Sequence, residues 1–153
     1  MVSTKLVRLI EDHWDSIARS SVRRIRACAD LPHLQHMPES EVHQAAQRTL
    51  HNLGYWLTNN PEKEIAARYQ EIGRQRFRGG MPLHEAVRSL QLMKESVLDY
   101  VREQVFIGSG VEILAQQELD RVLGHFYDLL TFHLVKGYEA ALRHEHTMAA
   151  AHR

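Results

Sequence analysis

The sequence predicts an all-α protein of five helices, packed either as a compact bundle or as a globin-like stack, with a long helix at its C-terminal end. Apolar residues recur at three- and four-residue spacing along nearly the whole chain, which is typical of helices with one buried face. Proline and glycine fall in short clusters that separate these periodic segments. The 153 residues suffice for one domain with a real hydrophobic core, so residues 1–153 are treated as a single domain.

The charge balance disfavours several classes of function. Lys plus Arg equals Asp plus Glu at 19 each, whereas a general nucleic-acid-binding protein should show a basic excess. No apolar run approaches the roughly 20 residues that a membrane-spanning helix needs, and the N-terminus lacks the apolar segment of a secretory signal. Cys28 is the sole cysteine, so no internal disulfide framework is possible. We therefore expect a cytoplasmic protein without nucleic-acid or membrane partners.

The first predicted helix runs from about Thr4 to Ala29, and the second from about Glu41 to Leu57. Residues 32–39 connect them, with a proline near each end, and Ser40 is the expected N-cap of the second helix. In the first helix the buried stripe is formed by apolar residues three or four apart, namely Leu6, Leu9, Ile10, Trp14, Ile17 and Ile25.

The third and fourth predicted helices span about Pro61 to Arg78 and about Pro82 to Val105. Asn60 is the expected N-cap of the third helix, and Gly79-Gly80 supplies the positive φ with which a chain often leaves a helix. Gly73 lies inside the third helix, where it costs about 1 kcal/mol relative to Ala. A close helix crossing or a contact with a ligand could offset that cost, and we favour the crossing.

The last predicted helix extends to Met148 without a proline, after a capping box formed by Ser109 and Glu112. At 1.5 Å per residue it would be about 60 Å long, whereas a compact domain of this size measures only about 40 Å across. Either the helix bends, with Gly124 or Gly137 as the candidate positions, or its end projects from the body of the domain.

The residues from Glu64 to Leu90 carry a family resemblance. Their pattern E-I-A-x-R-Y-x-E-I-G-R-x-R-F-x-x-G-x-P-L-x-E-A-V-R-S-L, with the upstream L-G-Y-W-L of residues 53–57, resembles the N-terminal domain of RsbRD-type stressosome proteins. Those proteins are bacterial co-antagonists of the RsbT kinase, and similar domains serve as input halves of some sensor kinases and transcription regulators. The resemblance implies an all-α, cytoplasmic sensory or regulatory module related to non-haem globins.

Motifs for catalysis and metal binding are missing from the sequence. It contains no Gly-rich phosphate loop, no G-x-S-x-G, no H-E-x-x-H and no Cys pair, so we expect no enzyme and no catalytic residue. His43 and His51 are eight residues apart on one predicted helix, and His125 and His133 repeat that spacing on another. Eight residues span about 12 Å along a helix axis, which is too far for two ligands of one metal. We expect neither a metal nor a cofactor.

Aromatic residues mark the candidate ligand pocket. Tyr55-Trp56 at the end of the second predicted helix could meet Tyr69 or Phe77 of the third helix across a short turn. We assign the candidate pocket to His51, Trp56, Tyr69 and Phe77. Apolar packing of the same rings is the alternative, and we favour it.

Histidine is unusually frequent, with eleven in the chain. His13, His51 and His133 each continue an apolar stripe, and one axial histidine is enough to hold a haem. A histidine on an apolar stripe more often belongs to the core or to an interface. Several histidines protonating below about pH 6.5 would also give a neutral protein a pH response.

These observations favour a non-enzymatic sensory or regulatory domain. We expect it to form a homodimer through its long last helix and its first helix, with Trp14, Phe126, Leu130 and His133 at the interface, and to relay a signal to an attached effector domain. In this hypothesis the chain is an input module of a longer protein. A small-molecule or haem-binding sensor is the alternative, and an enzyme without a recognised motif is a third class.

Overall fold

The computed structural model describes residues 2–104 and 110–152, and these contain eight helices and no strand. The all-α class and the long C-terminal helix are confirmed, but the predicted number of helices is wrong. The first two predicted helices are each broken in two, and a short extra helix lies between them. The helices are α1 Thr4–Asp12, α2 Trp14–Arg26, α3 Pro32–Gln35, α4 Glu39–Leu50, α5 Leu53–Asn59, α6 Glu62–Arg78, α7 Leu83–Gln104 and α8 Gly110–Ala151.

The first break lies at His13, between α1 and α2. Its backbone has φ −120° and ψ 25°, outside the helical region, and its N–H donates to the carbonyl of Ile10 at 3.2 Å. This bond joins residues three apart, as in a 3₁₀ turn, and it tightens the last turn of α1, which ends at Asp12. The apolar stripe runs through the break without a gap in its spacing, so periodicity could not reveal it.

The second break separates α4 from α5 at Asn52, which has φ −125° and ψ 39°. The backbone N–H of Gly54, in the first turn of α5, donates to the carboxylate of Glu11 in α1 at 3.0 Å. A side chain far away in sequence therefore supplies the partner that a new helix start needs. The N-cap of α4 is Pro38, so the assignment of Ser40 as its cap is wrong.

The turn before α6 also differs from the prediction. Asn60 is the left-handed C-cap of α5, with φ 44°, and Pro61 is the residue that precedes the first turn of α6. The glycine exit from α6 is confirmed, because Gly80 has φ 79°. The N–H of Met81 donates to the carbonyl of Arg76 at 3.0 Å, the long bond of a Schellman motif.

One hydrophobic core joins the helices. All eight contribute at least one buried apolar side chain, and α8 contributes a continuous row of them. The largest of the fully buried apolar side chains are Ile10, Ile17, Leu34, Leu50, Leu53, Ile65, Val97, Leu119, Leu123, Leu130 and Leu134. The most extensive helix pair is α6 with α8, so α8 is held mainly by α6.

Two glycines bring the backbones of α6 and α8 into direct contact. A Cβ atom on Gly73 would lie 2.0 Å from the carbonyl oxygen of Leu134, and one on Gly137 would lie 1.9 Å from that of Gln70. The prediction of a close crossing at Gly73 is thus confirmed, and the same crossing explains Gly137. A Cβ on Gly124, by contrast, would meet no atom within 4 Å.

Helix α8 is a single helix of 42 residues, about 63 Å long at 1.5 Å per residue. Its last turns, residues 142–152, are exposed throughout, so the prediction of a projecting end is confirmed. The predicted cap Ser109 and the predicted end of the fourth helix at Val105 lie outside the described residues. Within residues 2–104 and 110–152, no helix has the length and apolar character needed to cross a membrane.

Candidate functional site: an arginine-lined groove

A groove of about 830 Å³ separates α3 from α4 and α6, and we call it the α3–α4–α6 groove. Helix α3 and the residues after it form one wall, while α4 and α6 form the other. Its lining residues are Pro32, His33, His36, Met37, Pro38, Glu41, Gln44, Arg48, Ile72, Gln75, Arg76, Gly79 and Met81.

Charged side chains hold the α3 wall in place. A helix of four residues is not stable alone, so α3 needs tertiary support at both ends. At its N-terminal end, the backbone N–H of Leu34 donates to Oε1 of the buried Glu85 at 2.8 Å. At its C-terminal end, Arg26 donates to the carbonyl of Met37 at 2.8 Å and to that of Gln35. The negative Glu85 lies at the N-terminal end of α3 and the positive Arg26 at its C-terminal end, as the helix dipole favours. Their hydrogen bonds attach α3 to α7 and α2.

Two arginines lie on the opposite wall. The guanidinium of Arg76 lies 3.7 Å from the carboxylate of Glu41. Burial lowers the pKa of Arg76; Glu41 opposes this effect, and the neighbouring positive charge of Arg48 adds to it. Nε of Arg48 is buried, and within the described ranges neither a hydrogen-bond partner for it nor a carboxylate paired with Arg48 is found. The groove therefore carries more positive than negative charge.

Behind the arginines lies an internal cavity of about 40 Å³, which shares Met37, Arg48, Ile72 and Arg76 with the lining of the groove. Most of its lining is apolar, but three buried hydroxyl groups also border it. Those of Thr49 and Tyr69 are hydrogen-bonded at 2.6 Å, whereas Oγ of Ser21 has no partner in the part of the chain that the structure describes. Burial raises the pKa of Tyr69, although Thr49 and Arg48 counter this effect. The cavity has room for a few atoms, and its polar groups favour a molecule with hydrogen-bonding capacity.

The sequence that forms this groove matches a known protein family. The family model described as the RsbT co-antagonist protein rsbRD N-terminal domain matches residues 15–153, which include both walls of the groove and all of α8. The chain belongs to this family. The resemblance seen between Glu64 and Leu90 is thereby confirmed and extends over nearly the whole sequence. Comparison with curated proteins and with solved structures gives no significant match.

In this RsbRD-family domain the four residues of the predicted pocket lie apart. Tyr69 borders the internal cavity, whereas Trp56 is buried beside a different groove that reaches α8. Phe77 packs edge-on against Tyr138, with ring centroids 5.4 Å apart, and His51 is exposed at the end of α4. Of the four, only Tyr69 lines the cavity behind the arginines.

Arg48, Arg76 and the α3 wall were not predicted as parts of a site from the sequence. Arg48 directly precedes Thr49, a member of the buried stripe of α4, and so lies at the edge of that stripe. An arginine at such an edge is a weak signal for a partly buried cation. Nothing local predicts the position of α3, because Glu85 is about fifty residues from Leu34 in sequence.

The three histidines considered for haem occupy different environments. His13 is exposed and its ring stacks near Tyr100, with centroids 5.7 Å apart, and His51 is also exposed. His133 is buried, and its Nδ1 lies 3.1 Å from the side-chain amide of Gln70. Among the described residues, no three or more His, Cys, Asp or Glu side chains are arranged to hold a metal ion.

Most of the predicted dimer residues contact the chain's own core. Phe126, Leu130 and His133 are all at most 7% exposed, and only Trp14 is half-buried, edge-on to His43 at 6.4 Å between ring centroids. The exposed apolar residues of α8 lie elsewhere on the helix. We call the outer face of α8 the surface formed by Thr131, Phe132, Val135, Lys136, Glu139 and Arg143.

Proposed function

We propose that this RsbRD-family domain is a non-enzymatic signal-sensing module that dimerises and relays a signal through α8 to an effector domain. The observation that carries the proposal is the position of α6, which borders the α3–α4–α6 groove on one side and touches α8 with its backbone on the other. The family description names a co-antagonist of RsbT. We extend this to the chain by proposing a signalling assembly around that kinase as its partner.

The relay follows from the spacing of residues on α6. Ile72, Gln75 and Arg76 line the groove and lie within one turn of Gly73, which contacts α8. Because no side chain lies between the two backbones at Gly73 and Gly137, a displacement of α6 cannot be absorbed by a rotamer change there. It has to move α8, or to slide along it. A signal produces this shift only if it binds the two arrangements with different affinity.

For dimerisation we propose a pairing of α8 helices through the outer face of α8. Phe132 is 60% exposed, and Val135 lies beside it one turn further along. The same face carries Lys136, Glu139 and Arg143, so both signs of charge are present next to the apolar residues. Such a surface can pair with its own copy across a two-fold axis, because each charge finds its opposite on the partner. The projecting residues 142–152 would then lead to the effector.

Sedimentation velocity over a range of concentrations tests the dimer, with Phe132→Lys as the disrupting variant. We expect the unmodified chain to be dimeric at high micromolar concentration and the variant to be monomeric. Met148→Lys is the matched control, because Met148 is also exposed on α8 but lies on the opposite side of the helix. A chain that stays monomeric at high micromolar concentration would contradict this pairing.

The groove and its cavity favour the alternative of a small-molecule sensor. Buried polar atoms without protein partners are expected where a ligand completes the hydrogen bonding. Native mass spectrometry of the purified protein tests this alternative, since a retained molecule would appear as extra mass on each subunit. An absorbance spectrum of the same sample tests haem, for which His133 is the buried candidate.

A further inference from the structure

We propose that the α3–α4–α6 groove binds a small organic carboxylate. Its carboxylate group would lie between Arg48 and Arg76, and its short carbon body would extend into the internal cavity towards Ser21. This inference deepens the sensory function proposed above and rests on it for the consequence of binding, but not for binding itself.

The charge of the groove selects an anion. Arg48 and Arg76 face the same space, and the described residues offer them one carboxylate, that of Glu41. Glu41 is half-exposed and lies 3.7 Å from Arg76, a distance at which charge attraction remains but a good hydrogen bond does not. A cation that is partly removed from water is stabilised by an anion at its side. The planar guanidinium matches a carboxylate in shape and can donate two parallel hydrogen bonds.

The internal cavity selects the body of the molecule. Its volume of about 40 Å³ limits the inserted part to a few atoms. Ile25, Leu34 and Val42 are among its apolar lining residues, so a short alkyl group fits there. Ser21 is only 1% exposed, and its buried, unpartnered Oγ can hydrogen-bond a hydroxyl group on the ligand. A bare phosphate would contact the arginines and leave both the apolar lining and Ser21 unused.

Binding would act on the part of α6 that contacts α8. A carboxylate held by Arg48 of α4 and Arg76 of α6 links these two helices across the groove. Gly73 lies one turn before Arg76, so the link is adjacent to the contact with α8. The ligand would thus change the position of α6 relative to α4 and, through the crossing, the position of α8.

Isothermal titration calorimetry of the full chain tests the site with four probes: acetate, butyrate, 3-hydroxybutyrate and inorganic phosphate. We expect butyrate and 3-hydroxybutyrate to bind at millimolar concentration or below, and acetate and phosphate to bind more weakly. Arg48→Gln should weaken the binding of butyrate and of 3-hydroxybutyrate by about tenfold or more, because a charge-assisted hydrogen bond is lost. Ser21→Ala should weaken 3-hydroxybutyrate and leave butyrate unchanged, an effect that a general loss of folding would not produce.

Arg19→Gln is the matched control, because Arg19 is an exposed arginine of α2 that pairs with Asp15 away from the groove. Its affinities should equal those of the unmodified chain. Far-ultraviolet circular dichroism checks the fold of every variant, and Arg48→Lys, which keeps the charge, replaces Arg48→Gln if the latter does not fold. Equal binding of phosphate and butyrate, or binding that survives Arg48→Gln, would overturn the carboxylate assignment.

The titrations, together with the state of the dimer and a distance measurement, separate this inference from the proposed function. If no probe binds while the chain still forms the α8 dimer, the carboxylate site is wrong and the regulatory role stands. If butyrate binds but leaves the distance between spin labels at position 150 of the two subunits unchanged, the site is right and the relay through α8 is wrong.

Discussion

The two sides of α6 differ in how closely they are packed. Towards α8, Gly73 allows the backbones to touch, and a Cβ atom would lie only 2.0 Å from a carbonyl oxygen. Towards α3 and α4, the same helix borders about 830 Å³ of open groove and carries the partly buried Arg76. One side leaves no room for adjustment and the other leaves room for a molecule. A helix built in this way can accept a change on one side and pass it on through the other.

From this contrast we expect the α6–α8 contact to contribute more to the stability of the fold than the groove side does. Close-packed interiors respond to a volume change of even one methylene, whereas open surfaces tolerate substitution. We therefore expect substitutions at the crossing to act on folding, and substitutions around the groove to act locally. Three predictions test this difference, in order of decreasing effect.

The largest effect is expected for Gly73→Ala and Gly137→Ala. Each methyl group would collide with a backbone carbonyl of the other helix, which cannot move aside as a side chain can. We expect the free energy of unfolding, measured in urea, to fall by about 3 kcal/mol or more, or the variants not to fold at all.

Gly124→Ala is the matched control on the same helix, because a Cβ atom there would meet nothing within 4 Å. It should raise the free energy of unfolding by up to about 1 kcal/mol, the gain in helix propensity. If Gly73→Ala proved as stable as the unmodified chain, α6 and α8 would be able to separate at little cost. The rigid side of the comparison would then be lost.

A smaller effect is expected for Glu85→Ala, on the groove side. The substitution leaves the buried N–H of Leu34 without its acceptor, which should lower the free energy of unfolding by about 1–3 kcal/mol. Native-state hydrogen exchange should locate the change in α3. Amides of α6 and α8 at the crossing should keep their ranking as the slowest to exchange.

Glu85→Gln is the control, since its amide oxygen can still accept the hydrogen bond from Leu34. It should preserve the protection of α3 better than Glu85→Ala does. Equal loss of protection in α3 and at the crossing would show that the groove wall and the α6–α8 pair unfold as one unit, which would remove the distinction drawn above.

Much of the fold could be predicted from local patterns. Helical periodicity gave the all-α class and the long last helix, and the cost of Gly73 in a helix pointed to the crossing. The breaks at His13 and Asn52 could not be found in this way, because the apolar stripes continue through them. The partner that supports the second break, Glu11, comes from another helix.

The candidate site was harder to predict than the fold. Periodicity indicated that Phe126, Leu130 and His133 would be buried, but it does not distinguish burial in the core from burial in a dimer interface. In the structure these side chains are buried within the chain itself. The groove depends on α3, whose position is set by Glu85 and Arg26 through contacts distant in sequence. Short apolar segments and single arginines carry no local sign of such contacts. The sequence pattern pointed to the aromatic residues as a pocket, but it gave no comparable sign for the cations that line the groove.

The smallest effect concerns Tyr127, which lies on α8 and is buried in the core. Its hydroxyl is buried, and the described residues offer it no hydrogen-bond partner. Burial raises the pKa of Tyr127 well above its usual value, and the nearby Tyr69 adds to the rise. The folded protein therefore keeps Tyr127 neutral at a pH where the unfolded chain ionises it.

The sign of the pH dependence follows from this difference. Because the folded-state pKa is raised, the contribution of Tyr127 to stability is fully present below about pH 10 and is lost as the pH rises above that value. Tyr127→Phe removes the ionisation and the unpartnered hydroxyl together. At pH 7 we expect the free energy of unfolding to stay the same or to rise by up to about 1 kcal/mol. Above pH 10 its fall should be shallower by about 1.4 kcal/mol per pH unit, the value for one proton. Urea titrations from pH 7 to about pH 11 measure both effects.

Tyr69→Phe is the comparison, since it also removes an ionisable group but loses the hydrogen bond to Thr49 and should cost stability at pH 7. If Tyr127→Phe lost as much stability at pH 7 as Tyr69→Phe, the Tyr127 hydroxyl would have a partner after all. The core next to α8 would then hold a polar contact, and the closely packed side of α6 would be less apolar than the comparison of its two sides assumes.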